Sequence, residues 1–209
     1  VAMKDLEIRG AGNLLGGEQS GHIAAVGFDL YVRLVGEAVA EFKGGPAEEQ
    51  LEVKVELPID AHLPHDYVPG ERLRLEAYRR LASAYTDEEI AEVRKELRDR
   101  YGEPPAPVEN LLAVASFRAF ARGFGVGEVS AQGKYVRFTP LELRESQALR
   151  LARLHPGSVV KAATKTVLVT APTTARIGGQ PLRDVALLDW CREVLQVVVA
   201  DLQVATPSS

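Results

Sequence analysis

The residues best suited by type to chemistry stand near the start of the chain. Glu7, Arg9, Glu18, Gln19 and Ser20 lie in and around a glycine-rich run over 9–21, RGAGNLLGGEQSG. Such a run cradles a phosphate when a Gly-Lys-Ser/Thr follows at fixed spacing, because the lysine meets the β/γ-phosphates and the hydroxyl meets magnesium. Neither residue is present. The spacing Gly10, Gly12, Gly16 is a loosened dinucleotide fingerprint, but it follows a charged helical segment instead of a buried strand. The glycines are therefore expected to break a helix at Gly10 and Gly12, to break it again at Gly16 and Gly17, and to let the backbone approach closely at Gly21. That account leaves the polar residues unexplained. A guanidinium such as that of Arg9 holds two acceptors at once, and the Gln19 amide both donates and accepts, which suits a moving joint.

The other candidates for chemistry are thinner. His62 and His65 have a chelating separation, but Pro64 lies between them and no further ligand is evident, so they are read as loop histidines. Asp5 with Glu7, and Glu88 with Glu89, are read as solvated helix faces and not as catalytic carboxylates. Cys191 and Trp190 fall in or beside an apolar helical seam and are expected in the core. No catalytic residue, no metal ligand and no cofactor site is assigned in this chain. A net charge of −4 argues against broad binding to nucleic acid, although Arg72, Arg74, Arg79 and Arg80 keep a free-standing nucleic-acid-binding module open as the alternative.

The elements that must position these residues are legible from periodicity. The chain of 209 residues is 46% hydrophobic, enough for a substantial core. Its single cysteine excludes an intramolecular disulfide and fits a reducing cytoplasm. No apolar run approaches the roughly 20 residues that cross a bilayer, and the first residues lack a signal-peptide layout, so no membrane contact is expected. Residues 1–45 form a helical unit ending at Gly44, Gly45 and Pro46. A strand follows, with Val53, Val55, Leu57 and Ile59 on one face, and then three helices over about 70–84, 86–101 and 107–123. The β-rich remainder contains KYVRFTP, SVVKAAT and KTVLVTAP, with one helix near 142–154. A last helix over about 182–202 carries Leu188, Cys191, Leu195, Val198 and Leu202, and the tail ATPSS is expected to be disordered. The fold class is α+β, a helical hairpin at 1–45 followed by a mixed α/β domain at 46–209.

The polar residues of the glycine-rich run carry a resemblance. DLEIRGAGNLLGGEQSG followed by VGFDLY resembles the TRG motif, the translocation hairpin of the RecG helicase and of the bacterial transcription-repair coupling factors, the Mfd family. YRRLASA, ELRDRYGEPP and VENLL fit the C-terminal domain of the latter family and have no place in RecG. The resemblance implies the C-terminal part of an ATP-dependent DNA translocase of helicase superfamily 2, one that displaces stalled RNA polymerase and couples transcription to nucleotide excision repair. ATP and Mg would then serve motor domains upstream, and this chain alone would not be an enzyme. The resemblance further implies that Arg9 and Gln19 couple ATP hydrolysis to stepping along duplex DNA. Leu6, Ile8, Leu14, Leu15 and Phe28 would pack on the absent motor, so an isolated chain would expose them or cover them by self-association.

At about 100° per residue, TDEEIAEVRKELRDRYG puts Ile90, Val93, Leu97 and Tyr101 on one stripe. Glu92, Glu96 and Asp99 fall opposite, with Arg100 at the edge. The resemblance implies that Glu96, Asp99 and Arg100 hold the family's UvrB-like module closed, hiding the surface that recruits UvrA.

Overall fold

The computed structural model describes residues 53–200. The glycine-rich run with Arg9 and Gln19, the helical hairpin, Leu202 and the tail lie outside the described residues. The described chain gathers into two compact units, 59–115 and 53–58 with 116–200.

The first unit is helical. Helix α1 (Glu71–Ala82) follows Gly70, whose φ of 98° is open to glycine and strained for a side chain. Helix α2 (Asp87–Tyr101) has the capping box that its sequence predicts. The Thr86 hydroxyl accepts from the Glu89 N–H at 3.2 Å, and the Glu89 carboxylate accepts from the Thr86 N–H at 3.1 Å. Gly102, at φ 87°, ends it. Helix α3 (Ala106–Arg122) starts after Pro104 and Pro105, and its first part belongs to this unit. An extended segment over 59–69 is pinned to all three helices. The Leu63 N–H donates to the Tyr78 hydroxyl of α1 at 2.8 Å, the Tyr67 hydroxyl donates to the Gly102 carbonyl at 2.8 Å, and the His62 N–H donates to the Pro107 carbonyl at 3.2 Å. Burial of Ile59, Leu63 and Val68 with Leu81, Ile90, Val93, Leu97 and Leu111 follows from that wrapping.

The second unit is a five-stranded mixed sheet with helices. The strands are β1 (Lys54–Glu56), β2 (Glu128–Gln132), β3 (Tyr135–Thr139), β4 (Val159–Lys161) and β5 (Thr166–Thr170), in the order β1-β2-β3-β5-β4. Only the β1–β2 pair is parallel, with Val55 opposite Val129. Alternation sorts the sheet: Val55, Val129, Val136, Phe138, Val167 and Val169 are buried, while Lys54, Glu56 and Gln132 are exposed. The buried Arg118, in the last turns of α3, donates from Nε to the Val53 carbonyl at 2.8 Å.

Helix α4 (Glu145–Leu154) and helix α5 (Asp184–Val194) complete this unit. The predicted seam is present, with Leu188, Cys191, Leu195 and Val198 buried. The helix predicted to run to 202 instead passes from α-geometry into a π-turn over Leu195–Val199. A π-turn inserts a residue and leaves carbonyls without their usual partners. Two side chains of α4 meet them: Gln147 Nε2 donates to the Val199 carbonyl at 2.8 Å and Arg150 Nη1 to the Val197 carbonyl at 3.0 Å. No helix among the described residues is long and apolar enough to cross a membrane.

A charged helix face as candidate functional site

The surface singled out in α2 is built by the fold of the first unit. Ile90, Val93 and Leu97 are buried, Tyr101 is half-buried, and Glu92, Asp99 and Arg100 are exposed. Glu96 departs from that pattern. It is half-buried and carries two arginines: Arg100 one turn on, at 3.1 Å, and Arg80 of α1. The acid at the centre of the predicted contact is therefore already satisfied inside its own unit. Arg100 also lies 5.3 Å from the centroid of the Tyr101 ring, and the Tyr101 ring meets Tyr67 edge-on at 5.8 Å. Arg94 adds a link from α2 to Glu109 of α3 at 2.7 Å. Glu92, Asp99 and Arg100 are exposed charged residues of that face.

Arg80 is the residue that sequence reasoning missed in this role. It stood among four arginines considered for nucleic acid, and the structure divides them. Arg80 holds Glu96, Arg74 donates from Nη1 to the Val68 carbonyl at 3.0 Å, and Arg72 and Arg79 are exposed. Its position in the last turn of α1 was visible; that α1 packs on α2 was not.

His62 Nδ1 lies 2.9 Å from the Asp60 carboxylate and His65 is exposed. No group of three or more His, Cys, Asp or Glu among the described residues could hold a metal ion. Cys191 is fully buried, and burial pushes its thiol well above the ordinary value, which removes thiolate chemistry. Trp190 is not the core residue expected. It is half-buried and meets the His155 ring edge-on, with centroids 5.7 Å apart at 86°. Burial lowers the His155 pKa, against a smaller opposite effect of Glu193.

Three comparisons bear on what this arrangement belongs to. The profile of the TRCF domain matches residues 57–151, which include all of α1, α2 and α3. A transcription-repair-coupling factor from Mycobacterium tuberculosis (strain CDC 1551 / Oshkosh) is 49% identical over 207 residues, covering 93% of this chain. The chain belongs to the transcription-repair-coupling factor family. Its relative in Bacillus subtilis (strain 168) is 41% identical over 140 residues and 66% of this chain. A crystal structure of the C-terminal domain of transcription-repair coupling factor has the same fold, with a TM-score of 0.51 at 19% identity over 73% of this chain and 98% of that one. The chain spans 17% of the length of the mycobacterial factor and 12% of that from Bacillus.

Proposed function

We propose that this chain works as the C-terminal part of an ATP-dependent DNA translocase that displaces stalled RNA polymerase and couples transcription to nucleotide excision repair. The observation that carries the reading is the extent of the family match. A match over 93% of the chain reaches beyond the TRCF domain at 57–151 and into residues 1–52, where the glycine-rich run lies. In this reading Arg9 and Gln19 couple the hydrolysis of ATP, bound with Mg in upstream motor domains, to stepping on duplex DNA. The C-terminal region holds the UvrB-like module of the same protein closed until UvrA is needed.

Within this reading, the geometry of α2 supports a division of roles. Glu96 acts through Arg80 and Arg100: it fixes the Arg100 guanidinium, while Asp99 and Arg100 face outward. Exposed ion pairs contribute only about 0.2 to 1 kcal/mol each, which suits a clamp that has to open. In the complete protein, Asp99→Lys with Arg100→Glu is expected to raise UvrA affinity without unfolding the domain. Unchanged UvrA affinity in that folded variant removes the clamp. Arg9→Ala or Gln19→Ala is expected to impair translocation while leaving DNA affinity intact; equal losses in both would mean a direct DNA contact instead.

A further inference from the structure

At one end of the second unit's sheet, the register brings together stretches far apart in sequence. The β2–β3 turn, with Gly133 at φ 58° and then Lys134, lies beside the exit of β5, where the Ala171 N–H donates to the Lys134 carbonyl at 2.9 Å. The chain then makes a closed loop over 172–182. Thr173 bridges Pro181, the Leu182 N–H donates to the Pro172 carbonyl at 3.1 Å, and the Thr174 N–H donates to the Gln180 carbonyl at 2.9 Å. The Gln180 N–H returns to the Thr174 hydroxyl at 3.0 Å. Gly178 takes a φ of 69°, and a Cβ on Gly179 would fall 2.3 Å from the Ala175 nitrogen. The turn is built as tightly as backbone allows.

Its tip presents Arg176 and Ile177. Ile177 is 93% exposed, while the other exposed large apolar residues among the described ones range from 38% to 67%. Ordering a loop costs about 1–2 kcal/mol of backbone entropy per residue, and this isoleucine returns nothing to a core. The charge around it is one-sided. Residues 129–141 and 166–183 contain no Asp or Glu, yet carry Lys134, Arg137, Arg176 and Arg183. Arg137 is neutralised by Glu128 at 2.9 Å. At the same end Glu56 is paired with Lys54 at 2.7 Å, and Asp184 is half-buried. Lys134, Arg176 and Arg183 are exposed.

The cations stand on the β2–β3 turn, at the loop tip and at the loop exit. Exposed cations in stretches without carboxylates suit phosphates, and an apolar tip beside an arginine suits a groove in which it can lean on a base step. We propose that the loop over 172–182, with Lys134 and Arg183 at its base, is a contact for duplex nucleic acid, with Arg176 on phosphate and Ile177 in the groove. Three phosphate contacts give a weak, auxiliary hold, consistent with a chain whose net charge is −4. The contact does not depend on the clamp described above.

The test is fluorescence anisotropy of a short labelled DNA duplex with the whole 209-residue chain, over about 50 to 200 mM salt. The expected slope of log affinity against log salt is about −2.7, and each of Lys134→Ala, Arg176→Ala and Arg183→Ala reduces it by about 0.9. Ile177→Ala weakens binding roughly tenfold at an unchanged slope. Arg72→Ala with Arg79→Ala, on α1, leaves both quantities unchanged. Absence of binding at the lowest salt, or a slope that the three substitutions do not move, overturns the proposal, the first outcome pointing to an acidic protein surface as the occupant. Either failure leaves the UvrA experiment untouched.

Discussion

Glu96 shows how one side chain can carry a functional prediction and a structural duty together. Its carboxylate is shared by Arg80 from the neighbouring helix and Arg100 from its own, and roughly a third of its side chain remains exposed at 34%. Partial exposure keeps the energy small. A double-mutant cycle on Arg80→Ala and Glu96→Ala is expected to return a coupling of about 0.2 to 1 kcal/mol by urea unfolding, whereas Asp99→Ala changes stability by less than about 0.5 kcal/mol. A second residue-scale effect concerns pH. Burial against Trp190 lowers the His155 pKa below its ordinary 6.5, so the unfolded chain takes up the proton first as pH falls. Stability from this site is full above 6.5 and drains as pH drops through the lower, folded value. Urea midpoints across that window are expected to fall with acidification, and less steeply in His155→Gln.

Among the elements, α2 was legible almost residue by residue. Thr86, Glu89 and Gly102 are local signals, and local hydrogen bonds and backbone angles make its ends. Thr86→Ala is expected to lower stability by about 1 kcal/mol in thermal or urea unfolding, with α2 still formed. The last helix was read less well, because its apolar seam continues through Leu195 and Val198 without marking the change to π-geometry. That change is held from outside by α4. Gln147 is buried, accepting from the Arg144 N–H at 2.8 Å while donating to Val199. Gln147→Leu leaves both backbone groups without that partner, with an expected loss of about 1–3 kcal/mol and faster amide exchange around 195–199. Strand β2 has no comparable local signal: EVSAQ is short and lies between Gly127 and Gly133, and only pairing to β1 and β3 makes it a strand.

For the whole molecule, the proposed function sets what the N-terminal residues would pack against. Leu6, Ile8, Leu14, Leu15 and Phe28 are apolar residues whose expected partner is a motor domain. Self-association of the isolated chain, measured by light scattering across concentration, is expected to weaken on changing Leu14, Leu15 and Phe28 to Ser. A chain that is monomeric before and after the change would show that these residues need no cover.

Elements with local causes are readable from residue order: the capped α2, the alternation at Val53 and Val55, the buried stripe of Ile90, Val93 and Leu97, and the family motifs. Periodicity is a property of neighbours along the chain, so it survives without knowledge of the fold. Folding in three dimensions is what gives Glu96 to Arg80, pairs β1 in parallel with a strand more than a whole helical unit later, leaves Trp190 half-covered beside His155, and leaves Ile177 exposed near Lys134, Arg176 and Arg183. Each of these depends on contacts between residues remote in sequence, which the order of residues constrains only through the packing of everything between them.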